Sequence, residues 1–198
     1  MIKSVIFDMA GVYINPHDRR LRKKIAKVIG KKEAAIRKAE IVHEDRIMCN
    51  KLTPEQFWKN VCKRLGVKYD KKILKIWSSG YKPDVNKNVK KIVLKLKKKY
   101  RVAMITDVSA DRVRYNNKKG LYNLFTPCIK SCSVRARKPY LKIYRITLKR
   151  LNLKPKECIF IDDKPKNIRG CKKLGMKGIV FKNATQLKRD LKKHGIFI

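Results

Sequence analysis

Asp8, Asp107, Asp162 and Asp163, four of the chain's fifteen acidic residues, stand where short apolar runs stop. The runs are Val5-Ile6-Phe7, Val102-Ala103-Met104-Ile105 and Cys158-Ile159-Phe160-Ile161. With 54 Lys and Arg in the chain, carboxylates are scarce, so their position at the ends of strand-like segments needs a reason. Open α/β sheets take ligands outside the carboxyl ends of their strands, and these carboxylates are therefore expected to converge on one crevice. Converging negative charges repel unless neutralised, and a bound divalent cation neutralises them.

Each position suggests a role. Asp8, one residue past a buried run and followed by Gly11, suits a nucleophile or metal ligand, and equally a turn aspartate. Thr106, beside Asp107, offers a hydroxyl to a phosphoryl oxygen. Lys138 offers an ammonium to an anion, and Pro139 sets the turn into a helix; alone, a lysine in so basic a chain reads as surface. The adjacent pair Asp162-Asp163 is more specific. Unpaired and buried, it would drive one pKa upward, and Mg²⁺ with its oxygen ligands removes that penalty.

The elements that would carry these residues alternate. Residues 2–7, 101–106, 158–161 and 177–181 read as strands, with a weaker one at 125–130. Val89, Ile92, Val93, Leu96 and Tyr100 share one helical face over 86–100, with Asp84 as the expected N-cap. Helices are expected over 109–119, from Pro139 through Leu151, around Ile168, Cys171 and Leu174 to Gly175, and over 184–194. Strand–helix alternation predicts a doubly wound α/β fold with a parallel sheet. Residues 15–85 break the rhythm. Ile25, Val28 and Ile29 mark one helix, Ile36, Ala39 and Ile41 a second, and Thr53-Pro54-Glu55-Gln56 a capping box opening a third. The expected organisation is a core of residues 1–14 and 86–198, with a small helical cap, 15–85, inserted after the first strand.

Composition narrows the function classes. An apolar fraction of 43% suits a globular protein. No apolar run approaches the ~20 residues of a membrane-spanning helix. The amino-terminal apolar stretch is too short for a signal peptide, so a cytoplasmic location and no membrane partner are expected. Six cysteines without paired metal-site spacing read as reduced. The net charge of +39 raises non-specific nucleic-acid binding as a possibility. Yet residues 15–85 hold 20 basic and 8 acidic residues and the remainder 34 and 7, so the charge is spread rather than gathered in a tail or groove.

Together the four elements resemble the motifs of the haloacid dehalogenase superfamily. Val-Ile-Phe-Asp8-Met-Ala-Gly-Val is similar to the first, Ile-Thr106-Asp107 to the second, and Lys138-Pro139 with Ile143-Tyr144 to the third. Cys158 through Met176, with Asp162-Asp163, Asn167, Gly170, Leu174 and Gly175, is similar to the fourth. The likeness extends over essentially the whole chain, and Leu52 to Trp58 resembles the branch holding the phosphatase domain of soluble epoxide hydrolase and sugar-1-phosphate phosphatases. The resemblance implies phosphoryl transfer from a small phosphorylated metabolite through an aspartyl-phosphate. It implies Asp8 as nucleophile, Thr106 and Lys138 as catalytic groups, and Thr106, Asp107 and Lys138 around the phosphate. It implies Mg²⁺ held by Asp8, the carbonyl of Ala10 and Asp163, with Asp162 in support.

The chain also departs from that pattern. Ala10 occupies the place of a second aspartate that protonates the leaving group, which directs attention to leaving groups needing little protonation or to an acid from the cap: His43, Glu44 or Asp45. Asp107 replaces a common asparagine, and Tyr140 stands where an acidic residue often follows Lys-Pro. Dehalogenation without Mg²⁺, phosphonate hydrolysis using a cap lysine (Lys23, Lys24, Lys38 or Lys51), and a catalytically weakened basic binder of nucleic acid or protein are the alternatives.

Overall fold

Five short, mostly apolar strands form one parallel sheet: β1 (Ser4–Phe7), β2 (Arg101–Thr106), β3 (Cys128–Lys130), β4 (Cys158–Asp162) and β5 (Lys177–Val180). The computed structural model describes residues 1–15 and 18–198, with side chains at all of these but Asp18 and Arg19. In space the strands run β3-β2-β1-β4-β5. The chain thus builds outward from β1 in one direction, then restarts on its other side with β4. Such a reversal opens a crevice beyond the carboxyl ends of β1 and β4. Phe7 lies opposite both Met104 and Ile161, so the first and fourth strands end level, with Asp8 and Asp162 side by side.

Ten α-helices follow in chain order among the described residues: α1 (Asp18–Ile29), α2 (Glu33–Met48), α3 (Pro54–Arg64), α4 (Lys71–Ser79), α5 (Lys87–Leu96), α6 (Ala110–Lys118), α7 (Ser131–Val134), α8 (Leu141–Leu151), α9 (Pro165–Lys172) and α10 (Ala184–Lys193). Because strand side chains alternate, Val5, Phe7, Val102, Met104, Ile159 and Ile161 meet α5 and α10 on one face. Ile6, Ala103, Ile105 and Phe160 meet α8 and α9 on the other. Both faces are covered, which explains why the strands read as continuous apolar runs.

Helices α1–α4 surround a separate core of Ile25, Ile36, Ile47, Phe57, Trp58, Val61, Ile73 and Trp77. The chain enters and leaves this helical unit at one place. Ile14 bridges Val85 in antiparallel fashion, Asn15 N donates to Asp84 O at 2.9 Å and Asn86 N to Tyr13 O at 2.9 Å. The capping box of α3 is formed: Gln56 N donates to Thr53 Oγ1 at 3.2 Å, and Thr53 N to Gln56 Oε1 at 2.9 Å.

Several boundaries differ from expectation. Asn86, not Asp84, caps α5 by accepting from Val89 N at 3.2 Å, while the Asp84 carbonyl is engaged in the crossing. The third strand is regular over Cys128–Lys130; ahead of it Thr126 N still donates to Val102 O at 2.9 Å and the Pro127 carbonyl accepts from Met104 N at 3.0 Å, although Pro127 has no N–H of its own to donate. Ile41 is exposed; the buried stripe of α2 runs through Ile36, Ala39, Glu40 and Ile47 instead. Glu40 can occupy it because Arg22 Nε donates to its carboxylate at 2.8 Å. Helix α4 was not separated from its neighbours by periodicity, although Asp70 caps it by accepting from Lys72 N at 2.7 Å.

Gly170 ties the fold to the crevice. A Cβ there would sit 2.6 Å from the Pro139 carbonyl oxygen and 3.2 Å from the Tyr144 ring. Only a glycine lets α9 lie against the turn that carries Lys138. Gly170→Ala is expected to cost about 1–3 kcal/mol of stability, as overpacking does; a urea denaturation midpoint unchanged from wild type would contradict this.

Candidate active site

The loop after β1 is built to hold a carboxylate at the sheet edge. Asp8 N donates to Ile161 O at 2.8 Å, extending the pairing of β1 with β4 past the last strand residue. Met9 N then donates to Asp8 Oδ1 at 2.7 Å. Gly11, at φ +89°, turns the chain back, with its own N–H on Ile14 O at 2.8 Å. Any side chain at Gly11 would lie 2.7 Å from the Asp163 carboxyl carbon, so glycine also permits Asp163 to approach.

Lys138, from the loop joining α7 to α8, reaches beneath this edge. Its Nζ lies 2.5 Å from Asp8 Oδ1, 3.0 Å from Asp162 Oδ2 and 3.2 Å from the Ile105 carbonyl. All three side chains are buried: Lys138 is 2% exposed, Asp8 4% and Asp162 0%. Burial disfavours the ammonium, but the carboxylates of Asp162, Asp8 and Asp107 outweigh it and keep Lys138 above the ordinary lysine range. Burial pushes Asp8 up to about 7, against the pull of Lys138 and with Asp162 adding to the rise. Asp163 is raised too, again chiefly by burial.

The two motif-four aspartates are not equivalent. Asp162 accepts from Lys164 N at 2.8 Å, from Asn167 Nδ2 at 3.0 and 2.9 Å, and from Lys138. Its oxygens are occupied with holding the loop and the lysine. Asp163 Oδ1 is buried with no hydrogen-bond partner among the described residues. One oxygen each from Asp8, Asp162 and Asp163 lie within 4.8 Å of one another. A hard oxygen donor set with an orphaned carboxylate oxygen fits a divalent cation.

Beyond this cluster opens a cleft of about 280 Å³. Thr106, Asp107, Ala10 and Asp163 line its sheet side, and Arg22, Arg37 and Glu44 line it from α1 and α2. Thr106 is buried at the end of β2. Asp107 accepts from Lys138 N at 3.1 Å and faces Arg137 Nε at 3.5 Å, so it braces the lysine's backbone and is itself compensated. Arg137 also bonds Asp45 Oδ1 at 2.7 Å and lies 3.6 Å from Glu44 Oε2, joining α2 to the sheet edge. Tyr140 is exposed and donates to Asp45 Oδ2 at 3.0 Å.

The structure therefore brings Asp8, Ala10, Thr106, Asp107, Lys138, Asp162 and Asp163 to one edge. Of the three α2 residues considered as acids, only Glu44 lines the cleft, and Arg37 and Arg137 engage it. His43 and Asp45 lie outside its lining, and Lys23, Lys24, Lys38 and Lys51 are exposed away from it. Sequence reasoning missed Arg137 and Arg112, because single arginines among 54 basic residues carry no signal. It noted Asn167 only as part of a pattern; its work is to fix Asp162. All six cysteines are free.

A family model described as haloacid dehalogenase-like hydrolase matches residues 5–181. The chain belongs to the haloacid dehalogenase-like hydrolase family. Within it, this member is 39% identical over 79 residues to the chloroplast flavin mononucleotide hydrolase 1 of Arabidopsis thaliana, covering 40% of this chain and 31% of that one. It is 35% identical over 65 residues to bifunctional epoxide hydrolase 2 of Rattus norvegicus, covering 33% of this chain and 12% of that one. The chain thus spans a third or less of the curated relatives it matches, and these relatives fit the epoxide-hydrolase-phosphatase branch. A family enzyme from Bacteroides thetaiotaomicron, solved with magnesium and inorganic phosphate, shares the fold at TM-score 0.71 and 21% identity over 92% of this chain and 95% of that one. Among the described residues no helix is long and apolar enough to cross a membrane.

Removing Lys138 would leave Asp8 and Asp162 as uncompensated buried charges. Lys138→Ala is expected to lose about 3–5 kcal/mol at pH 8. The loss should shrink toward pH 5, because Asp8 already titrates near 7 and would rise further without the lysine, so acid neutralises it. Urea denaturation at both pH values checks this, and a loss that grows in acid would contradict it.

Proposed function

We propose that this family member is a Mg²⁺-dependent phosphatase that hydrolyses a small phosphorylated metabolite through an aspartyl-phosphate on Asp8. The observation that carries the reading is the convergence of the Asp8, Asp162 and Asp163 oxygens within 4.8 Å, beside a cleft that Asp163 and Thr106 line. Support comes from the names of its relatives, a flavin mononucleotide hydrolase and an enzyme holding magnesium with phosphate.

In this reading Asp8, the Ala10 carbonyl and Asp163 hold the cation, and Asp162 keeps the loop and Lys138 in place. Bound Mg²⁺ supplies Lewis-acid neutralisation of the phosphate charge. The Asp8 carboxylate attacks phosphorus, while the Thr106 hydroxyl and Lys138 ammonium stabilise charge spreading over the equatorial oxygens. Asp107 positions Lys138 through its backbone N–H. Helices α1–α4, within residues 15–85, act as the cap that covers the cleft and selects the leaving group.

Activity on 4-nitrophenyl phosphate with Mg²⁺ tests the assignment. Asp8→Asn should lower kcat by roughly 10³-fold or more, the scale for removing a nucleophile. Asp163→Asn should raise the Mg²⁺ needed for half-maximal activity by at least the ~10–100-fold that losing a partner of a metal ligand costs. Apparent Mg²⁺ affinity, followed by calorimetry, should weaken as pH falls through about 7, because protons then compete for Asp8. Full activity in Asp8→Asn would remove the nucleophile and the reading with it.

A further inference from the structure

The turn that delivers Lys138 is gripped from α2 by a single carboxylate. Tyr140 N donates to Arg137 O at 3.1 Å, so residues 137–140 close into one tight turn with the lysine inside it. Both corners of that turn reach the same residue. Arg137 Nη1 donates to Asp45 Oδ1 at 2.7 Å, and the Tyr140 hydroxyl donates to Asp45 Oδ2 at 3.0 Å. Asp45 thus spans the turn, with one oxygen for each corner. A single contact would let the turn pivot, whereas two from opposite ends fix its orientation. The helix that carries Asp45 is itself held against the sheet edge. One turn further along α2, Ser131 Oγ donates to Met48 O at 2.6 Å and accepts from Val108 N at 3.0 Å.

Arg137 carries the constraint inward. Its Nε faces Asp107 Oδ2 at 3.5 Å, and Asp107 Oδ1 accepts from Lys138 N at 3.1 Å. The backbone of the lysine is therefore held by Asp107 directly and by Asp45 through its neighbours on either side. At the far end of the side chain, Nζ lies 2.5 Å from Asp8 Oδ1 and 3.0 Å from Asp162 Oδ2. The Asp45 side chain is 57% exposed, and ion pairs that open to solvent add little to folding stability. What such a pair can set is position. Misplacement of a reacting group by about 1 Å can cost ~10²-fold in rate.

We propose that Asp45 is a positioning residue for Lys138: by holding both corners of the lysine's turn, α2 sets where the ammonium meets Asp8 and the phosphoryl group in transfer. The proposal rests on the phosphatase reading above for the role of Lys138. Asp45 itself touches no reacting atom in this arrangement; it acts through Arg137, Tyr140 and Asp107. Placement of α2 and placement of the lysine then become one condition for turnover, so its loss lowers the rate of the bound complex rather than the affinity for substrate.

Two measurements test this: kinetics on 4-nitrophenyl phosphate with saturating Mg²⁺, and amide hydrogen exchange at Lys138 followed by NMR without substrate. Asp45→Ala removes both contacts, and alanine suits a helix interior, so the fold is retained. It should lower kcat by about threefold to tenfold, as two partly exposed contacts allow. KM should change by less than about twofold, the pattern of an interaction made in the transition state. The Lys138 amide, which donates to Asp107, should exchange faster by a similar factor to kcat, while the amides of α10 keep their rates. Tyr140→Phe should lower kcat less than Asp45→Ala, and adding it to Asp45→Ala should lower kcat no further, since its partner is already gone. A raised KM with kcat unchanged, or Lys138 exchange as slow as in the wild type, would reduce Asp45 to a docking contact and overturn the proposal. Faster Lys138 exchange in a protein whose turnover survives Asp8→Asn would keep the tether and overturn the phosphatase reading.

Discussion

The ammonium of Lys138 lies between two buried carboxylates, and the sheet edge is arranged around that contact. Without it, ending β1 and β4 level with acidic residues would place Asp8 and Asp162 together in a dry environment with nothing to offset their repulsion. The lysine supplies the offset, and the elements around it keep it there: Ile105 through a carbonyl, Asp107 through the lysine's own N–H, and Asn167 by locking Asp162. Buried ion clusters of this kind contribute little net stability, because desolvation cancels most of their attraction. Here the cluster holds Asp8 and Asp162 in place at the strand ends, beside the cleft that Asp163 lines.

Arg137 extends the same network upward. It neighbours Lys138 in sequence and reaches Asp45 and Glu44 on α2 as well as Asp107 below. This guanidinium thus connects the helical unit to the sheet edge, alongside the Tyr140 hydroxyl on Asp45 and the Ser131 hydroxyl on the Met48 carbonyl. Asp8, Asp107, Asp162, Asp163, Glu40, Glu44 and Asp45, nearly half of the fifteen acidic residues, are gathered in or beside this region. The other eight acidic residues are set against 54 Lys and Arg, and that composition gives the net charge of +39.

Much of this was legible in the sequence, for identifiable reasons. Buried parallel strands must be apolar throughout, so β1, β2 and β4 were conspicuous, and the aspartates ending them stood out against a basic background. The capping box at Thr53 was visible because its chemistry is local. What escaped notice depends on long-range contacts. Neither Glu40 taking a buried place on α2 nor Asn86 displacing Asp84 as a cap follows from periodicity, since each depends on a partner distant in the chain or on the crossing at residues 14–15 and 84–86. The different duties expected of Asp162 and Asp163 came from the family resemblance alone, because two adjacent aspartates at a strand end are not told apart by spacing or periodicity.

The short antiparallel ladder where Ile14 meets Val85 has a consequence for how this protein could change over time. Since the path out of the sheet and the path back lie side by side, the seventy or so residues between them form a detour whose ends are already closed. Lengthening, shortening or replacing that detour would alter what the cleft admits while the strand ends kept their spacing. Innovation in recognition and constancy in reaction would then be governed by separate stretches of one polypeptide.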